Sequence, residues 1–123
     1  MKIRIKGNTL RYRLTKSEVD LLASSGIVEE YTEFNEQAFT YALKLKSGIE
    51  QLEATFTNNT ITIYFPASKT NEWRDGEQIG HHFDMPLNNG KALFILVEKD
   101  FVCLDETHED QGDNYPNPLL SKI

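Results

Sequence analysis

The chain has 123 residues, a size that fits one domain with a core able to fold without disulfides or metals. Hydrophobic residues make up 39% and charged residues 26%, which excludes a generally disordered polymer. A net charge of −6 and a pI near 5.0 argue against a whole face committed to nucleic acid, so any binding by cations has to be local.

Met1 to Leu14 alternates apolar and polar residues on both sides of Gly7-Asn8. Glycine at the first turn position suits a two-residue type II′ hairpin. The register then sets Lys6 against Thr9, Ile5 against Leu10, Arg4 against Arg11, Ile3 against Tyr12 and Lys2 against Arg13. One face becomes apolar, and the other carries Lys2, Arg4, Lys6, Arg11 and Arg13. Thr15-Lys-Ser-Glu18 follows as a capping box, in which a hydroxyl and a carboxylate three residues apart satisfy the first backbone N–H groups of a helix. That helix is expected over residues 16–24, with Val19, Leu22 and Ala23 on its apolar face and Gly26 as the stop.

Ile27 to Phe34 is β-rich but acidic, and reads as a partly exposed strand. Phe39 to Leu45 alternates cleanly and ends at Ser47-Gly48. Leu52 to Thr57 and Thr60 to Phe65 flank Asn58-Asn59, whose tolerance of positive φ predicts a type I′ hairpin. A short helix is expected over 68–75, capped by Ser68 and holding Trp73. Gly76 to Phe83 is a further candidate strand. Ala92 to Val97 and Phe101 to Leu104 read as buried strands joined by Glu98-Lys99-Asp100. Residues 105–123 are acidic and loop-like, with Asp113-Asn-Tyr-Pro-Asn-Pro118 favouring extended or turn conformations. The pattern predicts a single α+β domain over 1–123, mainly an antiparallel sheet or a small barrel, with one main helix. No repeat is evident beyond the recurrence of hairpins.

Cys103 is the single cysteine, so no intramolecular disulfide can form. The opening residues lack an apolar signal core, and the longest apolar run, Ala92 to Val97, is too short to cross a bilayer. A cytoplasmic protein with no membrane partner is the resulting expectation.

Lys2-Ile-Arg-Ile-Lys-Gly-Asn8 with Arg11-Tyr-Arg-Leu-Thr-Lys-Ser-Glu18, and Val97-Glu-Lys-Asp-Phe-Val-Cys-Leu-Asp105 with Asp113-Asn-Tyr-Pro-Asn-Pro118, resemble a family of small uncharacterised bacterial proteins. The resemblance implies a compact domain of bacterial origin and brings no activity or functional residue with it.

Among candidate sites the basic hairpin face is the sharpest. Arg4 opposite Arg11 and Lys2 opposite Arg13 are like-charge cross-strand pairs, each costing a few tenths of a kcal/mol up to about 1. Two explanations offset that cost. Lys2, Arg4, Lys6, Arg11 and Arg13 can bind an anion such as a phosphate or carboxylate. Alternatively, Glu29, Glu30, Glu33 and Glu36 neutralise them within the fold. Asp105, Glu109, Asp110 and Asp113, with Glu106 nearby, offer oxygen ligands for a divalent cation, and Cys103 and His108 softer ones. Their spacing matches neither an EF-hand nor a zinc motif, and no cofactor is predicted. His82 and Asp84 share a strand face but lack a nucleophile partner by spacing. Trp73 reads as a core anchor and Cys103 as a buried small hydrophobe. There is no phosphate-binding glycine loop.

Two functions remain open. The first is a non-enzymatic binding or interaction module, self-association included. The second is a small enzyme or ligand-binding barrel for a phosphorylated or carboxylated anion, with Arg4, Arg11 and Arg13 as clamps and a divalent ion held by the acids.

Overall fold

In the computed structural model, which describes residues 1–101 and 112–116, the first fourteen positions obey their period-two order. Strands β1 (Lys2–Lys6) and β2 (Thr9–Leu14) pair antiparallel with Lys2 opposite Arg13, Arg4 opposite Arg11 and Lys6 opposite Thr9. Gly7 takes φ +54° at the turn, as the hairpin requires. Helix α1 (Lys16–Ser25) starts at a complete capping box between Thr15 and Glu18 and stops at Gly26, which adopts the left-handed conformation.

The remaining strands are β3 (Ile27–Glu33), β4 (Ala38–Lys46), β5 (Glu53–Thr57), β6 (Thr60–Pro66), β7 (Gly80–Pro86) and β8 (Ala92–Lys99). Asn58 and Asn59 both have positive φ between β5 and β6, consistent with a type I′ turn. A 3-10 turn at Ala67–Lys69 leads into helix α2 (Thr70–Asp75). Ser68 does not cap this helix; it lies within the preceding turn, and no side chain caps α2. Glu98 and Lys99, expected in a connection, continue β8. The strand expected from Phe101 is represented by one bridge to Tyr115, and 102–104 lie outside the described residues.

The α+β class holds, with the strands divided between two mixed four-stranded sheets rather than closed into a barrel. One sheet has the order β1-β2-β8-β7 and the other β3-β4-β6-β5. Among the described residues, four antiparallel hairpins are joined in pairs by the parallel contacts β2–β8 and β4–β6. The chain therefore contains a topological duplication. Each half runs hairpin, helix, hairpin, and each gives one hairpin to each sheet. The registers correspond: Lys2 opposite Arg13 becomes Glu53 opposite Tyr64, and Ile5 opposite Leu10 becomes Phe56 opposite Ile61.

The inner faces of both sheets build one core that includes Tyr12, Leu14, Leu43, Ile63, Phe65 and Ile95. Helices α1 and α2 pack against each other, and Val19, Leu22 and Trp73 join the core from them. Trp73 is fully buried, stacks on Phe65 with ring centroids 5.1 Å apart, and donates its indole N–H to the Ile79 carbonyl. The helices follow β2 and β6, so the hairpin turns at Gly7-Asn8 and Asn58-Asn59 lie at the opposite ends of those strands. No helix among the described residues is long and apolar enough to cross a membrane.

Candidate binding site

The five hairpin cations share the outward face of the first sheet, because alternate side chains on β1 and β2 leave the core side. Their ion pairs come from the far end of the chain. Parallel pairing sets Arg13 beside Glu98 of β8. The Glu98 carboxylate accepts from Arg11 Nε and Arg13 Nε at 2.7 Å each, and Arg11 Nη2 also reaches it. Lys2 Nζ lies 3.2 Å from the buried carboxylate of Asp100. Arg4 and Lys6 are exposed and have no carboxylate partner among the described residues. Two shallow hollows open between these side chains. One of about 260 Å³ is lined by Lys2, Ile3, Arg4, Arg11 and Arg13. The other, of about 230 Å³, is lined by Arg4, Lys6, Thr9 and Arg11.

The expectation that Glu29, Glu30, Glu33 and Glu36 neutralise this face is corrected. Strand β3 belongs to the other sheet, and among the described residues β1 pairs only with β2. Glu29 and Glu33 share the outward face of that second sheet, and Glu29 accepts from Tyr31 Oη at 2.7 Å. Glu36 lies in the β3–β4 turn. Glu30 instead meets the ammonium of Met1 at 2.9 Å, and Glu18 completes the pair from α1. Burial of that ammonium disfavours its charge, but the two carboxylates outweigh the burial and hold its pKa above the ordinary value.

Of the acidic candidates, Asp113 serves the helix. Its side chain accepts from Ser17 N at 3.3 Å and Ser17 Oγ at 2.5 Å, and its carbonyl accepts from Lys16 N at 3.1 Å. The hydrogen bond from Ser17 is the first cause that holds its carboxyl below the usual range. Asp105, Glu106, Glu109 and Asp110, with Cys103 and His108, lie outside the described residues. Among the described residues no group of three metal-ligating side chains converges.

His82 and Asp84 do share an exposed face, with the His82 ring 5.8 Å from that of Phe94. His81 points inward, edge-on to Phe65 at 5.0 Å and to Trp73 at 6.1 Å. Its Nδ1 is buried without a hydrogen-bond partner among the described residues, and burial is the main cause that lowers its pKa, with Lys69 adding to it.

One concave feature was not expected from the sequence. At the hairpin-turn end, an apolar cleft of about 480 Å³ separates the two sheets. It takes Ile5 and Leu10 from the first half and their counterparts Phe56 and Ile61 from the second, with Phe39 and Leu93 beside them. Ile5 is 59% exposed and Phe56 67%, although both stand on the core side of their strands. Among the described residues no charged side chain lines the cleft. The only sequence signal for it was the matched Ile5-Lys-Gly-Asn-Thr-Leu10 and Phe56-Thr-Asn-Asn-Thr-Ile61 segments, which become equivalent only once both hairpin registers are known.

Comparison with known proteins gives one positive result: residues 1–119 match the model of a family of unknown function (DUF7009). No curated protein and no solved structure matches the chain.

Proposed function

Because the chain belongs to that family of unknown function, its own residues have to carry the reading, and we propose a non-enzymatic binding module that takes an anionic group on the first hairpin. The observation that carries this reading is the uneven pairing of the five cations. Glu98 serves Arg11 and Arg13, Asp100 serves Lys2, and Arg4 and Lys6 are left facing solvent without a carboxylate among the described residues. An arginine fork with a neighbouring ammonium suits a phosphate or carboxylate. The like-charge cost of Arg4 against Arg11 is relieved when an anion sits between them.

The test is thermal denaturation with tripolyphosphate at low salt. Binding to the folded state raises Tm by a few degrees at saturating anion, and salt weakens the effect. The double variant Arg4→Ala/Lys6→Ala is expected to lose at least half of that shift. Glu98→Gln frees Arg11 and Arg13 and is expected to increase it, at about 1–2 kcal/mol of stability without anion. Equal shifts in wild type and Arg4→Ala/Lys6→Ala would remove this face from the binding site.

A further inference from the structure

The apolar cleft and the cationic face meet at one strand. Ile5 turns into the cleft, while its neighbours Arg4 and Lys6 turn out on the other side of β1. Thr9, next to the turn, lines both the cleft and the hollow of Arg4, Lys6 and Arg11. We propose that the site takes a single-chain anionic amphiphile, its apolar chain in the cleft between the sheets and its acidic end at Arg4 and Lys6.

Three observations set the ligand class. A volume of about 480 Å³ falls within the usual range for small-molecule sites, roughly 300–1,000 Å³. The lining is almost wholly aliphatic and aromatic, with Asn8, Thr9 and Thr55 as its few polar members. Asn8 is already engaged, donating from Nδ2 to the Ala92 carbonyl at 2.6 Å. An apolar body is therefore favoured there by burial alone. The concave shape also matters. The mouth is a gap between two sheets, a shape that suits a slender apolar chain. Arg4 and Lys6, without a carboxylate partner among the described residues, line a hollow that shares Thr9 with the cleft, so the ligand's charged end is an anion.

This inference rests on the anion-binding reading above, and the experiment separates the two. Dodecanoate below its micelle concentration is titrated into the isotopically labelled full chain, with dodecanol as the neutral control. Binding is followed by amide shifts. Dodecanoate is expected to shift Ile5, Leu10, Phe56 and Ile61, and to bind at least tenfold tighter than dodecanol. Arg4→Glu/Lys6→Glu should erase that preference, and Ile5→Glu, at a position 59% exposed, should weaken both ligands at least tenfold while the rest of the amide spectrum keeps its folded dispersion. If dodecanoate leaves the cleft amides unmoved while tripolyphosphate still stabilises the chain, the amphiphile is overturned and the anion reading stands. If dodecanoate fills the cleft with the same affinity in Arg4→Glu/Lys6→Glu, the cations do not hold its acidic end and the amphiphile is overturned, while the anion reading is decided by tripolyphosphate alone.

Discussion

His81 illustrates how a single side chain can tie stability to pH. It packs edge-on against the stacked Phe65 and Trp73 rings, with Nδ1 buried and without a hydrogen-bond partner among the described residues, an environment that favours the neutral ring. Its folded pKa is lowered, so the unfolded chain takes up a proton first as pH falls. Stability from this group is intact above the ordinary histidine range near 6.5 and is lost as pH falls from there toward the folded value. Urea midpoints between pH 7.5 and 5 are expected to decline in the wild type and to decline less in His81→Phe. Parallel curves for the two proteins would refute this. Glu98 shows why residue roles were only partly legible. The basic face was readable from alternation alone, because period two fixes which side chains share a surface. Its neutralising acid was not. Glu98 lies 85 positions from Arg13 in sequence and reaches it only through the β2–β8 pairing.

At the scale of elements, local chemistry was the better guide. The capping box, the left-handed glycine and the two-residue turns act within a few residues, so α1 and the first and third hairpins were placed nearly to the residue. Strand β7 was shifted, from an expected 76–83 to Gly80–Pro86. Gly76 ends α2, its N–H donating to the Glu72 carbonyl, and Pro86 is tolerated because β7 is an edge strand. Gly80 opens this strand opposite Glu98, and the reason for glycine is contact rather than φ. A Cβ there would meet the Val97 carbonyl oxygen and lie 2.8 Å from the Glu98 Cα. Gly80→Ala is therefore expected to lower stability by about 1–3 kcal/mol in urea denaturation. It should also disturb the Glu98 carboxylate that holds Arg11 and Arg13. An unchanged midpoint would show that the β7–β8 pair absorbs the methyl group.

For the whole molecule, hairpin counting could not reveal how the hairpins join. Parallel contacts between distant strands leave no local signature, so a largely antiparallel sheet was expected where two mixed sheets formed. The same arrangement binds the two halves to each other's fate. Within residues 1–47, β2 and β4 have no strand partner beyond their own hairpins, because β8 and β6 belong to the other half. A lone two-stranded hairpin is marginal in water, so neither half should hold its structure in isolation. Severing the backbone near Gly48, in the connection between β4 and β5, yields two pieces that each lack the other's parallel strands. Separately they are expected to give the dispersionless amide spectra of unstructured peptides. Mixed in equal amounts, they should reconstitute one heterodimeric particle, which would make this chain a natural scaffold for fragment complementation.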